Sequence, residues 1–321
     1  MSYDDLDPNL NLSPLADPVV SAIFANAQVS GLAAESLIRA IINSDDESNN
    51  KLNGKIVSVV PQSSFSDPFN RGCRVDVYVE TDNNERIIIE INIYPDRTII
   101  HRDFLAASHI FRSSSVKGDT AIQMAARMPR TVFINVLTDN IRNDNKDIVQ
   151  PVKVMFTKAP VRSAMPQFSI YNIQLPQVQE SKPDFNSDLY CWCYTLYTAH
   201  KENISIQEVL QMTPELASYA EREPGYFQFC ERYGLVAADP DTRHEYFLWY
   251  MNQLREEGRR ITAIEMGMEQ GMEQGQLIKL LGQIQRKHLK QKTREQIIDE
   301  LELEDEDLQI LDNFESYVHL I

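Results

Sequence analysis

Two acids, Asp76 and Glu90, sit in neighbouring segments whose patterning brings them face to face. Residues 74–80 and 86–94 both alternate strictly, with Val75, Val77 and Val79, and Ile87, Ile89, Ile91 and Ile93, on one side of their strands. The polar run 81–85 between them reads as a turn. A hairpin centred on Asn83 sets Glu80 opposite Arg86, Tyr78 opposite Ile88, and Asp76 opposite Glu90. Directly opposed residues have Cβ atoms roughly 5 Å apart, so two carboxylates there repel. A divalent cation between them turns the repulsion into attraction. Asn92 lies on the same face, two residues past Glu90. Its amide can orient a water molecule but brings no charge to it.

The flanking segments supply the elements that would hold these side chains. Helices are predicted over about 17–26 and 32–43, the second with Leu37, Ile38, Ile41 and Ile42 as its apolar stripe. A strand over 55–60 and a Pro/Ser loop lead into the hairpin. A helix follows from Ile99 to about Ser114, with Ile100, Phe104 and Phe111 near one face. Strands at about 131–137, 152–157 and 169–175 complete a mixed sheet with flanking helices, an α/β fold. After Pro176 the pattern is helical to the end, with a boundary expected near 178–186. A long helix is predicted over 242–290, carrying Gly267, Gly271 and Gly275. That spacing bares one face to receive another helix closely, and homo-oligomerisation through the C-terminal helices is one reading of it. Flexibility is the other, each Gly costing about 1 kcal/mol of helix stability.

The net charge of −16 weighs against a nucleic-acid partner, but its distribution softens the objection. Residues 295–315 hold ten acids and no Lys or Arg, so the rest of the chain carries only −6. Residues 97–130 are locally basic, with Arg97, Arg102, Arg112, Lys117, Arg127 and Arg130 against Asp103 and Asp119. That segment follows the acidic hairpin directly, where a phosphate-contacting surface would be useful. Cys73, Cys191, Cys193 and Cys230 fit neither a disulfide framework nor a zinc site and read as reduced thiols of a cytoplasmic protein. The acidic N-terminus is no signal peptide, and no apolar run is long enough to cross a membrane.

The order and spacing of these features resemble the PD-(D/E)xK nucleases, and among them the family transposases, also called recombination-promoting nucleases. Residues 17–24 resemble the family's N-terminal Asp-x-x-Phe-Lys-x-x-Phe segment, with Val20 and Ser21 in place of Phe-Lys. Arg102 sits where the family has an Arg before a helix, and residues 117–119 resemble its Gly-Asp-Tyr turn. Residues 132–137 resemble its next core strand, 171–177 the end of its nuclease core, and 267–275 its Glu/Gly repeat. Asn92 departs from the superfamily's Lys.

The resemblance implies a restriction-endonuclease-like core over 15–178, preceded by a disordered 1–14 and followed by a helical region over 187–258. The Gly-interrupted helix and acidic tail then occupy 259–321. It implies a Mg²⁺- or Mn²⁺-dependent DNA endonuclease, with Asp76 and Glu90 on the metal, Asn92 beside the water, and Arg102 and Lys117 on DNA. Each role has a plainer alternative. Arg102 could instead pair with Asp103 or a site acid, and Lys117 is either a displaced substitute for the missing Lys or a solvated turn residue. Asp17 is either an extra site acid or a helix cap before Pro18, and Glu35 lies at the edge of its apolar stripe. A degenerate nuclease fold serving as a DNA- or protein-binding assembly module is the alternative function.

Overall fold

A computed structural model describes residues 11–45, 51–67, 70–93, 95, 98–112, 118–140, 146–156, 158–163, 165 and 167–317. Helices α1 (Asp17–Ile23) and α2 (Ala27–Ile42) precede strands β1 (Ile56–Asp67), β2 (Asn70–Thr81) and β3 (Arg86–Asn92). Then come α3 (Ile99–Arg112), α4 (Ala121–Arg127), β4 (Thr131–Leu137), β5 (Val149–Lys153), β6 (Met155–Phe156), β7 (Ala159–Ser163) and β8 (Phe168–Gln174). Six strands form one mixed sheet in the order β1-β2-β3-β4-β8-β5, and β6 and β7 pair separately. The central strands β3, β4 and β8 are parallel and the outer ones antiparallel.

Each face of the sheet has its own core, which is why every residue of β4 and β8 is buried. On one face Val77, Val79, Ile87, Ile89, Ile134 and Tyr171 pack under α1 and α2. On the other, Tyr78, Ile88, Phe133 and Ile170 meet Ala107, Ile110 and Phe111 of α3. Val75 joins this second cluster, so the predicted alternation breaks just before Asp76. The inward stripe of α3 is Ile99, Asp103, Ala107 and Ile110; Ile100 and Phe104, expected on that face, are 37% and 48% exposed. Burying Asp103 requires polar partners, and the sheet provides them.

The Pro/Ser segment expected as a loop is strand: β1 continues through it, with Pro61 opposite Val77. β1 is an edge strand, where a residue without an N–H does not break a central ladder. Residues 11–14, expected to be disordered, are packed. Tyr233 donates to the Leu12 carbonyl at 2.6 Å, and Ser13 Oγ and His200 Nδ1 are 2.8 Å apart.

The helices after the sheet are α5 (Gln177–Glu180), α6 (Asp188–Lys201), α7 (Ile206–Met212), α8 (Pro214–Arg222), α9 (Pro224–Ala238) and α10 (Pro240–Leu289). The chain divides between Trp249 and Tyr250, not near 178–186. Trp192, Tyr226 and Phe229 share one core with α1, α2 and the sheet. Gly225 allows α9 to press on α2, since a Cβ there would lie 2.3 Å from the Leu32 carbonyl oxygen.

The second unit holds the rest of α10 with α11 (Arg294–Leu301), α12 (Asp305–Asp312) and α13 (Phe314–Tyr317). The acidic tail is folded there: Ile284, Ile297 and Leu311 form a small core, Lys287 and Lys292 hold Glu300, and Arg294 grips Asp312 at 2.7 and 2.9 Å. Among the described residues no helix is long and apolar enough to cross a membrane.

Candidate active site

The hairpin has the register its patterning predicts: Glu80 pairs Arg86, Tyr78 pairs Ile88, and the β2–β3 ladder ends at Val77 and Ile89. The next pair would be Asp76 and Glu90. There the carboxylates replace the ladder. The Asp76 N–H donates to Glu90 Oε2 at 3.2 Å, and the Ile91 N–H donates to Asp76 Oδ2 at 2.7 Å. Each acid is thereby tied to the opposite strand.

Burial raises the pKa of both. The Asp76 charge raises Glu90 further, and Asp17 raises Asp76; Arg102 pulls both back down. Asp17 does not cap its helix. Ala16 is the N-cap, and Asp17 is the first helical residue, close enough for its charge to be felt by Asp76. Two half-buried, mutually repelling carboxylates are hard oxygen donors suited to a divalent cation. Among the described residues no group of three or more His, Cys, Asp or Glu is placed to hold a metal. A cation on Asp76 and Glu90 would therefore complete its shell from carbonyls, waters or a phosphate.

Asn92 is buried and held by the protein at both ends of its amide. Its Oδ1 accepts from Arg102 Nη2, and its Nδ2 donates to Asn135 Oδ1 at 2.5 Å. Asn135 Nδ2 in turn donates to Asp103 Oδ2 at 2.5 Å and to Asn172 Oδ1 at 3.2 Å. The sheet register explains the chain of amides: Glu90, Asn135 and Asn172 are side by side on β3, β4 and β8, and Gln150 of β5 pairs Asn172. One polar row therefore crosses the sheet beside the acid pair. Asn135, Asn172 and Asp103 were not singled out from the sequence. Their signal is a polar residue set among apolar ones in a buried strand or stripe, which must find a partner once buried.

Arg102 is where these threads meet. Its side chain is 60% exposed, its Nε is 3.7 Å from Asp103 Oδ1, and it binds Asn92. Burial pushes the Asp103 carboxyl up to about 7 even against the Arg102 charge. Two other cations of the basic segment face acids: Arg127 pairs Asp119 at 2.9 Å and Arg130 pairs the buried Glu85 at 2.6 Å. Glu35 makes an i,i+4 pair with Arg39 and is not part of the acid cluster. Lys117 lies outside the described residues.

A family model described as "PD-(D/E)XK nuclease family transposase" matches residues 59–246, more than half of the chain. The chain belongs to this family. The match spans Asp76, Glu90, Asn92 and Arg102 and runs into the start of α10; the segment around Asp17 precedes it. The mixed sheet flanked by helices is the PD-(D/E)XK nuclease-like fold, and PD-(D/E)XK nucleases generally use divalent metals. No curated protein and no solved structure matches the chain.

Proposed function

We propose that this PD-(D/E)XK family member is a divalent-metal-dependent endodeoxyribonuclease that hydrolyses DNA phosphodiesters during recombination. The observation that carries the reading is the reciprocal tie of Asp76 and Glu90 across the end of the hairpin ladder. It holds two acids together at an energetic cost that a cation would relieve. Asp76 and Glu90 would hold Mg²⁺ or Mn²⁺, which when bound lowers the pKa of a coordinated water and neutralises phosphate oxygens.

The chain's own groups do the rest. With both ends of its amide occupied, Asn92 is a positioning residue that aims Arg102. The exposed guanidinium brings beside the acids the positive charge that the superfamily's Lys would bring, and its free donors suit a phosphate. Asn135 and Asp103 hold this arrangement from behind.

Incubation of supercoiled plasmid with the protein, with and without Mg²⁺ or Mn²⁺, tests the reading. Metal-dependent nicking that Asp76→Asn abolishes supports it; nicking that survives Asp76→Asn overturns it. The second reading, a degenerate fold acting as a binding module, draws support from the engagement of both ends of the Asn92 amide by Asn135 and Arg102. Calorimetric titration with Mn²⁺ separates the two, since a degenerate site need not bind.

A further inference from the structure

From Gly258 to Gln276 every described side chain of α10 is exposed. A helix solvated all round has only its own hydrogen bonds and side-chain pairs to hold it. Gly267, Gly271 and Gly275 weaken it further, by about 1 kcal/mol each relative to Ala. Nothing among the described residues calls for these glycines, since a Cβ at any of them would meet no atom within 4 Å.

Most of the large apolar residues of the stretch are ordered, Met266 and Met272 lying off the series. Leu254, Ile261, Met268 and Gly275 recur every seven residues, and so do Glu257, Ile264, Gly271 and Ile278. Together they form one stripe of alternating three- and four-residue steps, the pattern of a coiled-coil seam. Leu254, Ile261, Ile264, Met268 and Ile278 are 46–65% exposed along it.

We infer that this stripe is the seam of an antiparallel pairing with α10 of a second copy of the chain. One register matches large residues to small. Leu254 faces the second copy's Gly271, Tyr250 its Gly275, Ile261 its Ile264, and Glu257 its Met268. Beside the seam Met251 meets Met272, Arg260 meets Gly267, and Glu265 meets Gly258, so no like charges oppose. A parallel pairing in register sets Glu257 against Glu257 and leaves glycines facing glycines, a gap with no partner atoms. The antiparallel choice fills the glycine sites and gives a symmetric, closed dimer.

Light scattering on the full chain at micromolar concentration should give twice the chain mass. Ile261→Arg with Ile264→Arg should give the single-chain mass with the thermal melt of the Met1–Trp249 unit unchanged, because both residues are exposed and lie outside that unit. The register is read by disulfide trapping with Cys73 replaced by Ser. Leu254→Cys chains mixed with Gly271→Cys chains should cross-link, and neither should cross-link alone. A parent that scatters as a single chain, a double-Arg variant that still dimerises, or Leu254→Cys that cross-links with itself would each overturn the inference.

Discussion

The guanidinium of Arg102, on the first turns of α3, donates to the side-chain carbonyl of Asn92 at the end of β3. The residue that stands where the resemblance places a Lys is thus tied to an Arg from another element. Arg102→Ala is expected to abolish cleavage at saturating Mg²⁺ and to lower the log–log salt slope of DNA binding by about one unit. Arg102→Lys should keep part of the rate. An unchanged rate and slope in a folded Arg102→Ala protein would show that the guanidinium serves only Asn92 and Asp103.

Asn92→Lys is expected to fail as a repair of the motif. The new ammonium would be buried against Arg102 and would strip the Arg102 guanidinium of its Asn92 acceptor. An uncompensated buried charge costs about 3 kcal/mol or more, so the melting temperature should fall along with activity. A stable Asn92→Lys protein that cuts faster than the parent would assign the lysine site back to β3.

Glu90→Gln and Asp76→Asn should separate activity from stability. Each keeps an oxygen to accept the opposite strand's N–H while removing one of two repelling charges. Cleavage should vanish, and metal-free stability should rise by up to about 1 kcal/mol. Thermal melts in chelator beside plasmid assays check both halves; a loss of stability would mean that the parent pair already shares a proton favourably.

Without metal, stability should fall as pH rises. Asp76, Glu90 and Asp103 all have folded pKa values above their ordinary ones, so the native state binds more protons than the unfolded chain. Unfolding free energy then decreases with pH wherever that excess persists. For Asp103 the window runs from its ordinary 3.8 to about 7. Melts across this range in chelator should show the decline, and Asp103→Asn should flatten it. Metal uptake near pH 6 should release protons, visible as a buffer-dependent heat of binding.

Arg130, one of the cations of the basic segment, should matter for folding rather than DNA. It pairs Glu85, which also accepts from the Asn53 and Gly54 N–H groups and so pins the hairpin turn to the segment leading into β1. The two side chains are 13% and 6% exposed. Arg130→Ala leaves Glu85 buried without its cation, at a cost of about 3–5 kcal/mol. Denaturant melts should show that loss, while the salt slope of DNA binding stays put.

The hairpin, the opposition of Asp76 and Glu90, and the helix after it were legible in the sequence because each is local. A period of two assigns faces, and a short turn sets register without help from the rest of the chain. The order of motifs likewise carried the family. What Asn92 does was not legible, because its partners arrive on α3 and β4, and Asn135 is 43 residues away. Parallel register between β3, β4 and β8 is set by crossovers and core packing, not by any turn, so the row Glu90, Asn135, Asn172 exists only after folding. The same holds for Asp103, whose burial depends on a one-position rotation of the α3 stripe, and for Arg130, claimed by Glu85. Alternation decides which way a side chain points, and only tertiary packing decides what it meets there.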